Sequence, residues 1–357
     1  PPLSQMSSSS PDHHPIVSVI LSVRNGEPYL KQAIDSILAQ SFEDFELIVV
    51  DNHSTDDSPQ IIESYDDERI ILTRPDEPLH LAQSLNHAAS MARGEFVARM
   101  DADDVSHPAR FEKQVQYMRE HQKVGVLGTQ IRPIDGNGEQ ITKGSYRKPE
   151  AHEDICWSLF FGCPLWHPTV MLRKAIIDEL GWYGSPALEG REQYSTEDYD
   201  LWCRAISHTQ IHNLPETLLD YRIHADNHSL GKSRLKEHRR NSVLVLTQHI
   251  NTTFAMDVSH AISAALLGFK PGDVADLEEA AYYPKDMAQL IRCILDANAK
   301  SGITRNAMCH LNQKLASVAE TLIWQRGLNI MRESIALLKV DAGLGIRVLW
   351  SSLRRFI

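Results

Sequence analysis

The sequence predicts an α/β protein with a mostly parallel central sheet and helices on both faces, followed by an α-helical C-terminal region. Apolar, β-branched runs alternate with segments of helical periodicity from residue 16 onward. This alternation is typical of parallel strands joined by right-handed helical crossovers. The first run, residues 16–23, is almost continuously apolar, as expected of a strand covered on both faces. From about residue 235 the strand pattern fades and helical periodicity takes over.

The predicted elements follow from the apolar pattern and from the residues that interrupt it. Helices are predicted where apolar positions recur three and four residues apart, and strands where short apolar runs lie between turn residues. Residues 135–138 (DGNG) have the composition of a hairpin turn, and Gly94 is the expected C-cap of the third helix. Strands are predicted at 16–23, 45–50, 70–72, 95–100 and 124–128, and helices at 30–38, 56–65, 80–92 and from 108 onward.

Three regions are predicted along the 357-residue chain. Residues 1–14 are rich in Ser, Pro and His and lack the apolar core of a signal peptide, which indicates a disordered segment. Residues 15–232 form the α/β domain and residues 233–357 the helical region. Residues 346–357 place apolar side chains on one helical face beside several arginines. Such a helix can lie on an anionic membrane surface; a core or oligomer-contact helix is the alternative.

Composition argues against several functional classes. A net charge of −11 does not suggest a nucleic-acid partner, which usually requires a basic patch. A nucleotide ligand remains compatible with this charge because a metal ion can supply the local positive charge. No run of 18 apolar residues is present, so no membrane-spanning helix is predicted. Five widely spaced cysteines make a zinc site unexpected and fit reduced thiols in a cytoplasmic protein.

The acidic run Asp101-Ala102-Asp103-Asp104 is the most informative motif. It follows an apolar run, so its carboxylates are expected at the end of a strand, where open α/β sheets bind ligands. Adjacent carboxylates repel one another, and a divalent cation that also holds a diphosphate would relieve that repulsion. An acidic surface turn is the alternative. Asp51 is expected at the end of another strand on the same edge, which favours the metal and nucleotide site.

Several segments resemble the nucleotide-binding half of family 2 glycosyltransferases, which have the GT-A fold. They are VSVILSVRNGEPYL, ELIVVDNHSTDDS, ARGEFVARMDADDVSHPARFEKQ, HPTVMLRK, STEDYDLWCRA and LLDYRIH. The resemblance covers roughly residues 16–229 and points to the bacterial cell-surface polysaccharide or lipopolysaccharide type. It implies metal-dependent transfer of a sugar, with inversion at the anomeric carbon, from a nucleotide-diphosphate donor to a glycan or lipid-linked acceptor. UDP is the expected nucleotide.

The resemblance also implies roles for the acidic run. Asp101 contacts the ribose or the phosphates, and Asp103 is a direct ligand of Mn²⁺ or Mg²⁺. Asp104 either supports these groups or caps the helix that follows. His224 comes after an apolar strand and matches a position that often completes the metal site. A purely structural histidine is the alternative.

The nucleotide side of the expected site lies at the ends of the first two strands. Asp51 is similar to the nucleoside-binding aspartate of the family, and Ser22 and Arg24 are expected to contact the donor. A tyrosine is frequent where Arg24 stands, and an aspartate where Asn52 stands. Both positions are near the expected base pocket, so the resemblance leaves the identity of the base open.

The expected catalytic base follows a later motif, residues 195–200 (STEDYD). An inverting transfer needs a base that takes the proton of the attacking acceptor hydroxyl, and a carboxylate within hydrogen-bond reach can do this. The resemblance implies that Asp198 is this base and that Glu197 helps to orient the acceptor. The alternative is a helix start, with Ser195 or Thr196 as N-cap and acidic residues in the first turn.

Two further segments and two competing functions complete the predictions. Lys232 begins a basic cluster that either clamps the donor diphosphate as a closing loop or forms a solvated helix face. Aromatic residues between 157 and 166 can stack on a sugar or pack in the core, and His167 is expected near the acceptor.

A nucleotidyltransferase with a similar sheet and a non-catalytic nucleotide-sugar-binding protein are the competing functions. The sequence makes no prediction of the oligomeric state.

Overall fold

The computed structural model describes residues 14–144, 146–184, 196–224 and 232–269, together with residues 289, 290 and 293. The strands are β1 (Val17–Val23), β2 (Phe45–Asp51), β3 (Ile70–Thr73), β4 (Phe96–Asp101), β5 (Val105–Ser106), β6 (Val124–Ile134), β7 (Met171–Arg173) and β8 (Gln210–Arg222). The helices are α1 (Glu27–Leu38), α2 (Ser58–Glu63), α3 (Leu81–Met91), α4 (Arg110–Glu120), α5 (His152–Ser158), α6 (Lys174–Leu180), α7 (Glu197–Ala205), α8 (Lys232–Phe254) and α9 (His260–Leu266).

The chain divides into two compact units. The first unit contains the described parts of Pro1–Thr142, His167–Glu179 and Glu216–Arg222. The second contains the described parts of Lys143–Trp166, Leu180–Pro215 and Ile223–Ile357. Each unit therefore draws on separate stretches of the chain. The division of the protein at residues 232 and 233 stays a prediction.

A mixed sheet with the order β3-β2-β1-β4-β7-β6-β8-β5 forms the centre of the first unit, which includes β8 from Glu216 onward. The first four strands in this order run parallel, whereas β7 is antiparallel to both β4 and β6. Every residue of β2 is buried, as its mostly apolar sequence predicts, and its charged residues Glu46 and Asp51 are buried as well. Helix α3 packs on β1 and β2. The predicted α/β fold class is confirmed.

Two local predictions for the first unit are corrected by the structure. Gly94 does not cap α3, because that helix ends at Met91 and Ala92 occupies the C-cap in an extended conformation. A Cβ on Gly94 would lie 2.6 Å from the backbone nitrogen of Ser18, so glycine is required there by the close approach of β1. Strand β6 also continues to Ile134, well beyond the predicted end at residue 128.

The turn after β6 agrees with its prediction. The backbone N–H of Gly138 donates to the carbonyl oxygen of Asp135 at 3.0 Å, and Gly138 has a φ of 87°. Glycine adopts this left-handed conformation without the steric penalty of a side chain.

The described C-terminal part of the second unit is helical. Helices α8 and α9 pack on each other through Val243 and Ala264, and Thr247 Oγ1 lies 2.7 Å from Ser263 Oγ. No helix among the described residues is long and apolar enough to span a bilayer. Residues 1–13 and, apart from 289, 290 and 293, residues 270–357 lie outside the described residues. The predictions of a disordered N-terminal segment and an amphipathic terminal helix fall almost wholly on those parts.

Candidate active site

Three polar side chains lie at the carboxyl-terminal ends of adjacent parallel strands in the first unit. Ser22 on β1 is in register with Asp101 on β4, and Val23 is in register with Asp51 on β2. Because β1 lies between β2 and β4, the two aspartates flank the end of one central strand. The structure thus brings Ser22, Asp51 and Asp101 to one sheet edge, where ligands bind in open α/β sheets.

Asp51 is almost fully buried and held in place by its neighbours. Its Oδ1 accepts the backbone N–H of Ser54 at 3.0 Å, and its Oδ2 lies 3.3 Å from Nε of Arg74. Ser22 is partly buried and its hydroxyl lies 2.7 Å from that of Ser84. These contacts fix the side chains before any ligand arrives. A fixed site loses less conformational entropy when it binds a ligand.

The two positions that depart from the family pattern have different environments. Arg24 is exposed directly after β1. Asn52 is buried, and its side-chain amide donates to the carbonyl oxygen of Leu79 at 2.7 Å while its oxygen accepts the N–H of Leu79 at 2.8 Å. An ionised aspartate could accept but not donate here. Asn52 therefore ties two loops together, which accounts for an asparagine at this position.

The acidic run forms one carboxylate cluster, which comprises Asp101, Asp103 and Asp104. One oxygen from each carboxylate lies within 4.8 Å of the others. Asp101 pairs with the buried Arg99 on the same strand, and both Asp101 and Asp103 are partly exposed. Burial raises the pKa of Asp104 well above its usual range, and the neighbouring Asp101 and Asp103 carboxylates raise it further.

The carboxylate cluster fits a hard divalent cation. Oxygen ligands suit Mg²⁺ and Mn²⁺. Asp104 is 1% exposed, and its Oδ2 has no hydrogen-bond partner among the described residues. A buried carboxylate oxygen without a donor is costly, and so are three carboxylates that repel one another. A bound cation would relieve both.

Asp104 is not a helix cap, although that role was one alternative from the sequence. Helix α4 begins at Arg110 and has Ala109 at its N-cap position. Instead, Asp104 Oδ1 accepts the backbone N–H of Arg222, the last residue of β8, at 2.8 Å. The side chain therefore connects the turn after β4 to a strand that is distant in sequence.

Asp198, the predicted base, lies in the first turn of α7 in the second unit. Its Oδ1 accepts the backbone N–H of Tyr199 at 2.7 Å. The thiol of Cys163 lies 3.4 Å from Asp198 Oδ2 and 3.5 Å from the carbonyl oxygen of Leu165, so it can donate to either oxygen. Burial raises the pKa of Cys163, and the Asp198 carboxylate raises it further. The thiol thus stays protonated at neutral pH and can orient the carboxylate.

The surroundings of Asp198 also bear on the helix-cap alternative. Thr196 is at the N-cap position of α7 but makes no side-chain capping bond, and Ser195 lies outside the described residues. Glu197 is the first residue of the helix and is buried. Acidic residues in this first turn interact favourably with the helix dipole whatever their further role.

The remaining predicted residues have the following positions. His224 is partly exposed, two residues after β8, and belongs to the second unit, whereas Asp103 belongs to the first. Lys232 is the first residue of α8, and its side chain is outside the described part of the chain. His167 is buried in the first unit; burial lowers its pKa well below the usual range, and Arg99 lowers it further. Phe160 stacks on core aromatic rings, as the packing alternative predicts.

Comparison with known proteins decides between the functional classes. The model of glycosyl transferase family 2 matches residues 18–180. The putative glycosyltransferase EpsE of Bacillus subtilis is 34% identical over 65% of this chain and 81% of its own length. The O-antigen biosynthesis glycosyltransferase WbnJ of Escherichia coli is 36% identical over 62% of this chain and 84% of its own. The chain belongs to glycosyl transferase family 2.

Two solved structures have the same fold as this family 2 glycosyltransferase. TarS 1–349 of S. aureus, in complex with UDP-GlcNAc, has a TM-score of 0.56 at 19% identity and aligns over 95% of this chain and 91% of its own. The mannosyltransferase PcManGT from Pyrobaculum calidifontis, in complex with GDP-Man and Mn²⁺, has a TM-score of 0.50 at 18% identity and aligns over 89% of both chains. Membership of family 2 favours a glycosyltransferase over the nucleotidyltransferase and the non-catalytic alternatives.

Proposed function

We propose that this family 2 glycosyltransferase is inverting and metal-dependent. It moves a sugar from a nucleotide-diphosphate sugar, with UDP the expected nucleotide, to a hydroxyl group of a glycan or lipid-linked acceptor. The observation that carries the proposal is the carboxylate cluster, with its unpartnered Asp104 oxygen, at the sheet edge that also holds Asp51. The nucleotide sugars bound by TarS and PcManGT, and the Mn²⁺ bound by PcManGT, support it.

On the donor side, each residue has one task. Asp51 accepts hydrogen bonds from the nucleoside, and Ser22 and Arg24 contact the nucleotide beside it. Asp101 contacts the ribose or the phosphates. Asp103 is the metal ligand in the cluster, and His224 completes the ligand set. When bound, Mn²⁺ or Mg²⁺ supplies Lewis-acid stabilisation of the charge that develops on the leaving diphosphate.

On the acceptor side, Asp198 takes the proton of the acceptor hydroxyl as the hydroxyl oxygen attacks the anomeric carbon. Its Oδ1 is engaged by the Tyr199 N–H, so Oδ2 is the oxygen that accepts the proton. The Cys163 thiol beside Oδ2 and the rigid start of α7 hold the carboxylate in one orientation. Glu197 orients the acceptor. A base mounted in this way needs little rearrangement before the proton is transferred.

Three further roles belong to the proposal. Lys232 and the basic residues after it lie on α8 and not on a closing loop, and from this helix they bind the donor diphosphate. Binding of this kind helps to exclude water that would hydrolyse the donor. The C-terminal residues contact a membrane surface, which suits a lipid-linked acceptor. The protein accordingly acts in the cytoplasm or on the inner face of the cell membrane.

The metal site can be tested by thermal unfolding with UDP and a panel of nucleotide sugars, with and without Mn²⁺. A ligand present at 100 times its Kd adds about 2.7 kcal/mol of stability, so the cognate sugar should raise the Tm clearly only with Mn²⁺. Asp103→Asn should abolish the Mn²⁺-dependent part. Asp44→Asn is the matched control, because Asp44 directly precedes β2 and so lies at the opposite end of that strand from Asp51. An Mn²⁺-dependent shift that survives in Asp103→Asn would contradict the ligand assignment.

The base can be tested by turnover. Asp198→Asn should lower kcat by about 10² or more because the general base is lost. The Mn²⁺-dependent thermal shift with the donor should persist, which shows that the variant is folded and binds the donor. Near-normal turnover by the folded variant would rule out Asp198 as the base.

A further inference from the structure

Arg222 was not singled out from the sequence, yet it is among the most heavily bonded side chains of the first unit. It is 2% exposed at the end of β8. Its Nε donates to the carbonyl oxygen of Asp103 at 2.7 Å, and its own backbone N–H donates to Asp104 Oδ1 at 2.8 Å. One residue thus holds two consecutive members of the acidic run.

The rest of the guanidinium is anchored away from the carboxylates. Nη2 donates to Gln32 Oε1 on α1 at 2.6 Å, and the group lies 4.5 Å from the centre of the Tyr29 ring. Nη1 donates to the carbonyl oxygens of Asp135 and Gly136 at 3.1 and 3.3 Å. These contacts fix the guanidinium from a helix and from the turn after β6, so its position does not depend on the acidic run.

The acidic run is therefore held at both ends. Asp101 is held at the end of β4 by its pairing with β1, and the Asp103–Asp104 end is held by Arg222. Mutual repulsion favours a more open arrangement of the three carboxylates. Fixed anchors on the backbone and on one carboxylate oppose that opening. They keep the oxygens near one another before a cation is bound.

We propose that Arg222 is a positioning residue that preorganises the Asp103–Asp104 turn for the divalent cation. The inference rests on the proposed function, because it assumes that the carboxylate cluster binds the metal. In this role Arg222 would act through the turn and would not itself be a metal ligand. Residues that orient metal ligands typically contribute 10- to 100-fold to metal affinity. A residue important only for folding would change stability without this selective change in affinity.

The experiment compares Arg222→Lys with Arg132→Lys. Lysine keeps the positive charge and the backbone N–H at position 222 but loses the planar set of donors that reaches Asp103 and Gln32. Arg132 forms a bidentate pair with Asp220 on the same sheet and, within the described part of the chain, makes no hydrogen bond or ion pair with the acidic run, so it is the matched control. Direct binding of Mn²⁺ alone is followed by the electron paramagnetic resonance signal of the free ion. Kinetics are measured against Mn²⁺ concentration.

We expect Arg222→Lys to raise the Mn²⁺ dissociation constant about tenfold or more, with kcat at saturating Mn²⁺ within about threefold of wild type. Arg132→Lys should bind Mn²⁺ like the wild type. If Arg222→Lys does not fold, Gln32→Leu decides, because Gln32 is exposed and its loss removes one anchor of Arg222. That variant should weaken Mn²⁺ binding roughly two- to fivefold, as expected for one hydrogen bond.

The outcomes separate this inference from the proposed function. If a folded Arg222→Lys binds Mn²⁺ with wild-type affinity, the role of Arg222 is overturned and the proposed function is not. If Arg222→Lys does not fold, wild-type affinity in Gln32→Leu has the same consequence. An equal loss of affinity in Arg132→Lys also overturns it, because the effect would then be general. A wild-type protein that binds no Mn²⁺ contradicts the proposed function and the role of Arg222 together.

Discussion

His249 should make the stability of the protein fall as the pH falls from 6.5 to 4. This residue lies on α8, is 7% exposed, and its ring centre is 5.3 Å from that of Phe160. Burial lowers the pKa of His249 to about 4, although a backbone contact with Cys203 raises it in part. In the unfolded chain an ordinary histidine has a pKa of about 6.5. Between these values the unfolded state binds a proton that the folded state does not, so acid favours unfolding.

The size of this effect follows from the difference between the two pKa values. It is about 2.5 units, and each unit corresponds to about 1.4 kcal/mol, which gives roughly 3 kcal/mol lost between pH 7 and pH 4. His249→Gln removes the titrating group, so the free energy of unfolding of this variant should fall by roughly 3 kcal/mol less than that of the wild type between pH 7 and pH 4. A change in the absolute stability of the variant does not affect the test, because the pH dependences of the two proteins are compared.

The measurement is urea unfolding at a series of pH values from 4 to 8. His208→Gln is the matched control, since His208 belongs to the same unit but is exposed. Its pH dependence should follow the wild type. A His249→Gln variant with the same slope as the wild type would refute the argument that burial of this imidazole destabilises its charged form.

Three shorter predictions concern packing and the site. Gly94→Ala should lower the free energy of unfolding by about 2 kcal/mol or more, because its Cβ would lie 2.6 Å from backbone; Gly184→Ala, with no atom within 4 Å, is the control in the same urea assay. Asp51→Asn should raise the KM for the donor about tenfold and leave kcat nearly unchanged in steady-state kinetics, since a charged acceptor is lost. Cys163→Ala should lower kcat about two- to fivefold, whereas Cys163→Ser, which keeps a donor beside Asp198, should not.

The sequence predicted the carboxyl-terminal ends of β1, β2 and β4 well because local pattern determines them, whereas β6 runs past its predicted end. An apolar run that ends in a charged residue specifies both the buried strand and its last position, as at Asp51 and Asp101. Parallel pairing then brings these ends together without any further information. The shared edge of Ser22, Asp51 and Asp101 is therefore accessible from sequence alone.

The residues that the sequence analysis missed act through contacts distant along the chain. Arg222 contacts Asp104 across 118 positions, and Cys163 contacts Asp198 across 35. An arginine at the end of an apolar strand is typical of an ordinary strand end, and a cysteine between aromatic residues is typical of a hydrophobic core. In the sequence, the signal for Arg222 is its position between Tyr221 and His224, inside the last segment that resembles the family.

The carboxylate cluster shows why residue type alone cannot assign roles. Asp101 has an arginine on its own strand to balance its charge. Asp104 is buried, accepts one N–H through one oxygen and leaves the other without a donor. Keeping Asp104 ionised is therefore costly unless a positive charge approaches. The residue to which the resemblance gives the smallest role is thus the one with a buried oxygen that a cation could satisfy. The backbone N–H of Arg222 holds it in the cluster with Asp103, where both carboxylates would contribute to the proposed metal site.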